Sequence, residues 1–247
     1  MKIALIGYGK MGKEIHKIAS KQNIEVIIID PKSPFADFKN INQESLKDID
    51  VAIDYSTPDS VIKNIELISK HKVNLVVGTT GWYDKIDLVK ELTKDIGFIY
   101  SSNFSIGVNI FFEIIKESSK IINKFTNYDI AGLEIHHNEK QDSPSGTAST
   151  IADILIKNIE RKKTSNYNKI NQKIDQTDLH FASLRNGLVP GVHKVYFDSQ
   201  EDSITLEHSA RSRAGFAEGS VKSAIWIKDK KGFFDINDLI NSIINDK

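Results

Sequence analysis

Short apolar runs alternate with helical patterns over the first hundred residues of this chain. Between the runs, apolar residues recur at helical spacing, as in Met11, Ile15 and Ile18. Strands that are apolar on both faces and alternate with amphipathic helices are typical of a buried parallel sheet with helices on each side. We therefore predict an α/β fold with these strands: Lys2–Ile6, Glu25–Asp30, Val51–Tyr55, Asn74–Val77 and Phe98–Tyr100.

The pattern changes near residue 105, which indicates a second domain. A long helix is expected from about Val108 to Ile122, and helical spacing returns after about Arg213. The polar segment Glu160–Gln176 is expected to be an exposed connection. The strand candidates between the two helical regions alternate in polarity, which is typical of an antiparallel or mixed sheet. They are Asp129–His136, Leu179–Arg185, His193–Phe197 and Ser203–His208.

A glycine-rich segment of the form Gly-x-Gly-x-x-Gly follows the first predicted strand and opens the first helix. In dinucleotide-binding folds of the Rossmann type, the first glycine allows a tight turn and the second lets the pyrophosphate approach the backbone. The third lets helix and strand pack closely. We therefore predict that NADH or NADPH contacts this segment, which consists of Gly7, Tyr8, Gly9, Lys10, Met11 and Gly12.

Asp30 ends the second predicted strand, close to where an acidic residue meets the ribose hydroxyls of NAD. The alternative is a turn aspartate before Pro31. A carboxylate here disfavours a 2′-phosphate and Lys32 offsets that effect, so NADH or dual use is favoured over strict NADPH use. Further cofactor contacts are predicted where the fourth and fifth strands end, although ordinary loops also have such sequences. These residues are Gly78, Thr79, Thr80, Ser101, Ser102, Asn103 and Phe104.

Residues 134–148 combine groups that move protons with groups that bind anions. Two adjacent histidines, His136 and His137, are followed by Lys140 and then by a turn that opens a helical pattern. Backbone N–H groups at a helix N-terminus attract anions, and imidazole changes its charge near pH 7. We predict that Ser145, Gly146 and Thr147 hold a carboxylate. Lys140 would neutralise a second carboxylate or donate a proton, and His136 would supply or relay a proton.

Other interpretations of the histidine segment are weaker. One alternative is that the histidine is structural, as a histidine on a strand often is. A metal site is not predicted, because adjacent histidines on a strand point to opposite faces. The chain has no Gly-x-Ser-x-Gly elbow of a serine hydrolase. Several basic side chains are candidates for an added anion site, although most of them are expected to be exposed to solvent. These candidates are Arg185, His193, Lys194, His208, Arg211 and Arg213.

The composition excludes several function classes. With 33 basic and 33 acidic residues, the chain has no global field that attracts nucleic acid or an anionic membrane. It has no cysteine, and therefore no disulfide, thiolate nucleophile or cysteine-based metal site. No apolar run is long enough for a membrane span, and a strand starting at Lys2 leaves no room for a signal peptide. A soluble cytoplasmic protein is expected, without nucleic-acid or membrane partners.

The motifs of the chain resemble those of the 4-hydroxy-tetrahydrodipicolinate reductase family of the diaminopimelate and lysine pathway. The signature is Glu134-x-His136-His137-x-x-Lys140-x-Asp142-x-Pro144-Ser145-Gly146-Thr147-Ala148. The resemblance spans nearly the whole chain through further segments. These are Gly7–Gly12, Gly78–Gly81, Asn103–Asn109, Pro190-Gly191-x-His193 and Arg213-x-x-Phe216-Ala217-x-Gly219.

The resemblance implies a Rossmann-type dinucleotide-binding domain, residues 1–104 and 213–247. It also implies an α+β substrate-binding and oligomerisation domain with a mixed sheet, residues 105–212, which builds a homotetramer. His136 would be the proton donor or acceptor and Lys140 a second proton donor, while His137, Ser145, Gly146 and Thr147 would hold a small cyclic dicarboxylate. The implied reaction is hydride transfer from NADH or NADPH with protonation and loss of water.

Two other hypotheses fit parts of the pattern. Another two-domain NAD(P)-dependent dehydrogenase, acting on an amino acid or a sugar, would share the glycine segment but would not need residues 143–147 beside two histidines and a lysine. A protein that senses dinucleotides without catalysis would bind pyridine nucleotide and show no turnover. A coupled assay with the dicarboxylate distinguishes these hypotheses.

Overall fold

The computed structural model describes residues 1–245, which divide into two compact units. Among these residues, the first unit contains 1–106 and 213–245, and the second unit contains Gly107–Ser212. No helix in this described range is both long and apolar enough to cross a membrane.

The helices and strands follow one another in three stretches. The first stretch contains β1 (Lys2–Ile6), α1 (Lys10–Lys21), β2 (Glu25–Ile29), β3 (Val51–Asp54), α2 (Pro58–Lys70), β4 (Asn74–Val77), α3 (Ile86–Leu92) and β5 (Gly97–Tyr100). The second contains α4 (Ile106–Ile122), β6 (Asp129–His136), α5 (Gly146–Asn158), β7 (Thr164–Asn166), β8 (Asp178–Arg185), β9 (Val192–Asp198) and β10 (Ser203–Ser209). The chain continues with α6 (Ala214–Ile227), β11 (Gly232–Asp235) and α7 (Ile236–Asn245).

The first unit is built on a parallel sheet of six strands in the order β11-β5-β4-β3-β1-β2. All four residues of β3 are buried, as expected for a strand covered on both faces. The strand order reverses direction between β1 and β3, where open α/β sheets bind ligands. The predicted α/β class with a Rossmann-type parallel sheet is therefore confirmed.

The second unit carries a mixed sheet in the order β10-β9-β6-β8-β7. β6 pairs in parallel with β8 and antiparallel with β9, so it lies at the centre of the sheet. Alternate residues of β6 are buried, and the buried face packs against apolar residues of α4 and α5 such as Phe111, Ile151 and Leu155. The predicted mixed sheet is confirmed.

Two strands were absent from the sequence prediction. β11 lies in a segment that was expected to show only helical spacing, and it pairs with β5 at the edge of the first sheet. The prediction that Glu160–Gln176 is an exposed connection was wrong in part, because β7 lies within it and Lys162 is only 3% exposed. The Lys162 ammonium donates to the carbonyls of Gln176 and Asp178, which explains how a lysine is buried there.

Candidate active site

The glycine segment of the first unit has the geometry that a phosphate-binding turn requires. Gly7 has φ +89°, and a Cβ there would lie 2.4 Å from the carbonyl oxygen of Tyr55. A Cβ on Gly12 would lie 2.3 Å from the carbonyl oxygen of Gly7, so the helix packs directly on the turn. A Cβ on Gly9 would meet nothing within 4 Å, which leaves open space at the start of α1. This arrangement fits the approach of a pyrophosphate to the backbone.

A cavity of about 650 Å³ lies beside this segment, where β1 and β3 end. Three of the predicted cofactor residues line it, namely Gly7, Gly9 and Asp30. Lysines were not predicted here beyond Lys32, yet Lys39 and Lys63 also line the cavity. The cavity therefore combines one carboxylate with three basic side chains.

Asp30 serves the local backbone as well as facing this cavity. One carboxylate oxygen accepts the N–H of Tyr8 at 2.7 Å, and the other accepts the N–H groups of Lys32 and Ser33 at 2.7 and 2.9 Å. Burial works to raise the pKa of Asp30, but these hydrogen bonds outweigh it and hold the pKa below its usual value. Asp30 can therefore both stabilise the turn and face a cofactor in the cavity, which are the two roles that the sequence left open.

The other predicted cofactor residues lie outside the lining of this cavity. Several of them make internal contacts: a Cβ on Gly78 would lie 2.1 Å from the ring of Tyr55, and Phe104 is 1% exposed. The Ser101 hydroxyl donates to the carbonyl of Asn103. Contact with a cofactor stays a prediction for these residues, as it does for Gly7, Gly9 and Asp30. The predicted residues outside the cavity lining are Tyr8, Lys10, Met11, Gly12, Gly78, Thr79, Thr80, Ser101, Ser102, Asn103 and Phe104.

A buried carboxylate that the sequence analysis missed organises the ends of β3 and β4. Asp54 is 0% exposed, and its oxygens accept the hydroxyl of Thr79 at 2.7 Å, the N–H and hydroxyl of Ser56 at 2.9 and 2.7 Å, and the amide of Asn64 at 2.8 Å. These donors are all neutral. Burial accordingly dominates and raises the pKa of Asp54.

In the second unit, strand register gathers the chemically active side chains around Glu134. Glu134 is 0% exposed and pairs in register with His193 of β9 on one side and Ser183 of β8 on the other. His136, two residues later, lies on the same buried face and pairs with Arg185. Glu134 and His136 share this face because alternate residues of a strand point to the same side.

His136 is enclosed by groups from four segments. Its Nδ1 lies 3.3 Å from a carboxylate oxygen of Glu134, and its ring meets the ring of His193 edge-on, with centroids 5.1 Å apart. A Cβ on Gly191 would lie 3.1 Å from Nε2, so a glycine at that position makes room for the imidazole. Burial lowers the pKa of His136, Lys140 and Arg185 lower it further, and Glu134 opposes them.

Lys140 lies in the loop after β6 and pairs with Asp142, with 2.8 Å between its Nζ and one carboxylate oxygen. The same loop is fixed by Arg185, whose guanidinium donates to the carbonyl of Asp142 at 2.7 Å. His137 begins this turn, since its carbonyl accepts the N–H of Lys140. Positive charge is thus held beside His136 by both a lysine and an arginine.

The predicted anion-binding turn is the N-terminus of α5. Ser145 is the N-cap residue, and its hydroxyl accepts the N–H of Ala148 at 3.1 Å. The Ser145 N–H donates to both oxygens of Glu134, at 3.1 and 3.2 Å. Gly146 and Thr147 form the first turn, and a Cβ on Gly146 would meet nothing within 4 Å. The open helix start and His136 are therefore connected through one carboxylate.

His193, one of the basic side chains considered for an added anion site, is buried and is not part of the solvated surface. Its side chain is 5% exposed, with Nε2 at 3.3 Å from the Ser145 hydroxyl. Burial, with a smaller contribution from His136, lowers the pKa of His193 to about 4, so the ring is neutral at pH 7. The resemblance includes Pro190-Gly191-x-His193, but the contact of His193 with Glu134 depends on the register of β9 with β6.

Glu134, His136 and His193 also offer three ligand atoms within 4.8 Å of one another, a spacing that would suit a metal ion. The donor set argues against assigning one. The Glu134 oxygens already accept from Ser145 and Ser183, and the guanidinium of Arg185 lies 3.3 Å away. A guanidinium beside the carboxylate supplies the positive charge that a metal would otherwise bring.

Two family models together match nearly the whole chain. Residues 1–104 match the family described as Dihydrodipicolinate reductase, N-terminus, and residues 107–240 match Dihydrodipicolinate reductase, C-terminus. The chain belongs to the dihydrodipicolinate reductase family. The resemblance noted in the sequence is thereby confirmed.

Similar members of this family cover nearly the full chain. A 4-hydroxy-tetrahydrodipicolinate reductase from Christiangramia forsetii is 38% identical, over 98% of this chain and 99% of the relative. One from Rickettsia bellii is 33% identical, over 96% of this chain and 93% of the relative. A solved structure, the dipicolinate-bound dihydrodipicolinate reductase from Paenisporosarcina sp. TG-14, is similar in fold, with a TM-score of 0.78. It is 22% identical and covers 97% of this chain and 99% of that one.

Proposed function

We propose that this chain catalyses the NAD(P)H-dependent reduction of 4-hydroxy-tetrahydrodipicolinate to tetrahydrodipicolinate in diaminopimelate and lysine biosynthesis. The observation that carries the proposal is the cluster around Glu134, which joins His136 to the anion-binding start of α5. This cluster occurs in a chain that is similar along nearly its whole length to enzymes of that name. The cytoplasm, where both nicotinamide cofactors are available, is the proposed location.

The substrate is a dicarboxylate, and the second unit offers positive groups for both of its ends. We assign one carboxylate to the first turn of α5, at Ser145, Gly146 and Thr147, where helix N–H groups and hydroxyls favour an anion. Lys140 neutralises the second carboxylate or donates a proton, and His137 contributes to binding. The ion pair of Lys140 with Asp142 holds the Lys140 side chain in the loop beside His136.

The reaction takes up one hydride and one proton and releases one water. When bound in the first unit, the dihydronicotinamide supplies the hydride. His136 holds or relays the proton, because an imidazole can both accept and donate one. Burial and the two nearby cations lower the pKa of His136, and Glu134 opposes them. The protein thus supplies orientation and charge while the hydride chemistry belongs to the cofactor.

We propose that both NADH and NADPH are used. Asp30 places a carboxylate in the cavity at the end of β2, as is usual where NAD ribose binds. Lys32, Lys39 and Lys63 line the same cavity and supply the positive charge that a 2′-phosphate requires. The opposing charges favour neither cofactor strictly.

We also propose that the chain forms a homotetramer through the face of the second sheet that points away from α5. Leu133, Ile135 and Tyr196 are only partly exposed there, and Leu184 is 49% exposed. A partly apolar sheet face of this kind is typical of a surface that another copy covers. Light scattering after size-exclusion chromatography tests this assembly, and a monomeric mass at micromolar concentration would contradict it.

The decisive test of the reaction is a coupled assay with freshly generated 4-hydroxy-tetrahydrodipicolinate. Oxidation of NADH and of NADPH is followed separately, with a circular dichroism spectrum to establish that the sample is folded. We expect turnover with both cofactors. No turnover with either cofactor in a folded sample would refute the assignment, and normal nucleotide binding without turnover would instead favour a dinucleotide sensor.

A further inference from the structure

The carboxylate of Glu134 contacts both parts of the proposed substrate site, namely His136 and the N-cap of α5. It lies on the central strand β6 and is 0% exposed. Its neighbours come from three other segments, because β8 and β9 flank it in register and the loop before α5 returns over it. A fully buried carboxylate is costly unless its partners compensate for the lost water.

The first group of contacts fixes the start of α5. The Ser145 N–H donates to both oxygens of Glu134, at 3.1 and 3.2 Å, and the Ser183 hydroxyl donates to one of them at 2.7 Å. Arg185 donates at 3.3 Å to the same oxygen that Ser183 uses, and at 2.7 Å to the carbonyl of Asp142. The loop that carries Lys140 and the N-cap of the helix are therefore tied to one side chain.

The second contact acts on His136. The 3.3 Å between its Nδ1 and Glu134 is a charge contact, since the ring nitrogen is not directed well enough to form a hydrogen bond. The other charged or titratable groups that face His136 are Lys140 and Asp142 from the loop, Arg185 from β8 and His193 from β9. Glu134 is the buried anion among them, and it therefore offsets the two cations.

We propose that Glu134 is a positioning residue, which holds the proton-handling imidazole of His136 and the anion-binding first turn of α5 in one fixed arrangement. This inference rests on the proposed function of His136 and α5. Glu134 touches neither the substrate nor the cofactor in this scheme. It acts through its partners, whose charge state and separation it sets.

The state of Glu134 agrees with such a role. Burial works to raise the pKa of Glu134, but the hydrogen bonds from Ser145 and Ser183 and the charge of His136 prevail and lower it. The carboxylate is accordingly an anion at neutral pH. His136 is thus kept easier to protonate than burial and the two nearby cations alone would allow.

Glu134→Gln is the central test, because glutamine keeps the shape and an acceptor oxygen while removing the charge. The titration of His136 is followed by NMR in histidine-labelled protein, with its signals identified by their loss in His136→Gln. We expect the His136 midpoint to move to lower pH and kcat to fall about tenfold or more. The alkaline limb of the plot of kcat against pH should move to lower pH in parallel.

Binding of pyridine-2,6-dicarboxylate reports on the start of α5 in the same variant. Its Kd, measured by calorimetry, should change less than about threefold, since the start of α5 keeps its acceptor.

Two further variants separate positioning from simple stability. Ser183→Ala removes a hydrogen bond to Glu134 but keeps its charge, so His136 should titrate as in the unaltered chain. Glu134→Ala removes charge and acceptor together, and it should additionally weaken pyridine-2,6-dicarboxylate binding about tenfold. If Glu134→Ala does not fold, the comparison of Glu134→Gln with Ser183→Ala still decides the matter.

The outcomes distinguish this inference from the proposed function. A lower melting temperature in Glu134→Gln, with unchanged His136 titration and unchanged kcat profile, would overturn the positioning role. If the unaltered chain shows no turnover, the proposed reaction fails, yet the NMR titration still reports whether Glu134 sets the charge state of His136. Turnover in the unaltered chain with no shift in Glu134→Gln would refute the inference alone.

Discussion

Asp54 and Glu134 are both completely buried carboxylates at strand positions, one in each unit, yet their surroundings differ in charge. Asp54 accepts only from neutral groups, Thr79, Ser56 and Asn64, and burial raises its pKa. Glu134 also has many donors, but it has the cation Arg185 and the imidazole of His136 beside it as well. Its pKa is lowered despite burial.

The difference shows that burial alone does not determine what a carboxylate does. With neutral donors, the charged form is costly and the side chain serves as a structural acceptor that orders loops. With cations nearby, the charge is retained and can alter the protonation of a neighbour. We therefore expect changes in the second unit to affect proton chemistry, and changes at Asp54 to affect stability.

Lys140→Ala should produce the largest effect if proton chemistry belongs to the charged cluster. We expect kcat to fall about 10²- to 10⁴-fold, the usual contribution of a positioned proton donor. NADH affinity, measured by fluorescence titration, should be nearly unchanged, because Lys140 belongs to the second unit and the glycine segment to the first. Lys157→Ala, which removes an exposed lysine at the other end of α5, is the control. Weaker NADH binding with normal kcat would reverse the assignment.

Two substitutions at Asp54 test the structural half of the comparison. Asp54→Ala leaves buried donors of Thr79, Ser56 and Asn64 without an acceptor, so we expect a loss of about 2–4 kcal/mol in unfolding free energy. Asp54→Asn keeps an acceptor of similar shape and should cost less than about 1 kcal/mol. Urea unfolding at neutral pH measures both. Equal losses in the two variants would show that the hydrogen bonds to Asp54 contribute little.

The pH dependence of stability should have opposite signs at the two sites. Because folding lowers the pKa of Glu134, its contribution is present above the unfolded value of 4.5 and is lost as pH falls below it. Because folding raises the pKa of Asp54, its contribution is complete below the unfolded value of 3.8 and is lost as pH rises through the folded value.

This sign difference is measured as the unfolding free energy of the unaltered chain minus that of each variant. For Glu134→Gln the difference should decrease on acidification, and for Asp54→Asn it should increase. Dependence in the same direction for both variants would mean that the two carboxylates do not differ in charge as described.

The smallest effect is expected at Asp30, where a carboxylate and three lysines share one cavity. Asp30→Ala should shift the ratio of kcat/KM values toward NADPH by about fivefold, because removal of the carboxylate favours a 2′-phosphate. Asp37→Ala is a matched control: Asp37 also accepts a backbone N–H, from Ile28, but lies outside the cavity lining. An unchanged NADH/NADPH ratio in Asp30→Ala would identify Asp30 as a turn residue only.

Local requirements are the part of the molecule that the sequence predicts well. The glycine segment is an example, because the positive φ is a property of Gly7 itself and Gly12 packs on the carbonyl oxygen of Gly7 in the same segment. The start of α2 is likewise set by neighbouring residues: Thr57 is the N-cap, Ser60 completes the capping box and Pro58 opens the helix. Such features are determined by nearest neighbours along the chain.

Features that depend on strand register were missed. The hydrogen bond between Ser183 and Glu134 joins residues 49 apart, and His193 reaches Glu134 only because β9 pairs with β6 in one register. A shift of one residue would turn each side chain to the opposite face. β11 was missed for another reason, because it lies in a stretch where apolar residues return to helical spacing, and only its pairing with β5 identifies it as a strand.

The discontinuous first unit has a consequence for how the protein emerges during synthesis. Its sheet is completed by β11, and one of its two hydrophobic clusters includes Val221 and Ala224 of α6 together with Leu239 of α7. All strands of the second unit, by contrast, lie between residues 129 and 209. On a ribosome, the second unit therefore has all its residues first, while the strands made earliest wait for the last part of the chain. The order in which the two units can be completed is thus the reverse of the order in which they begin.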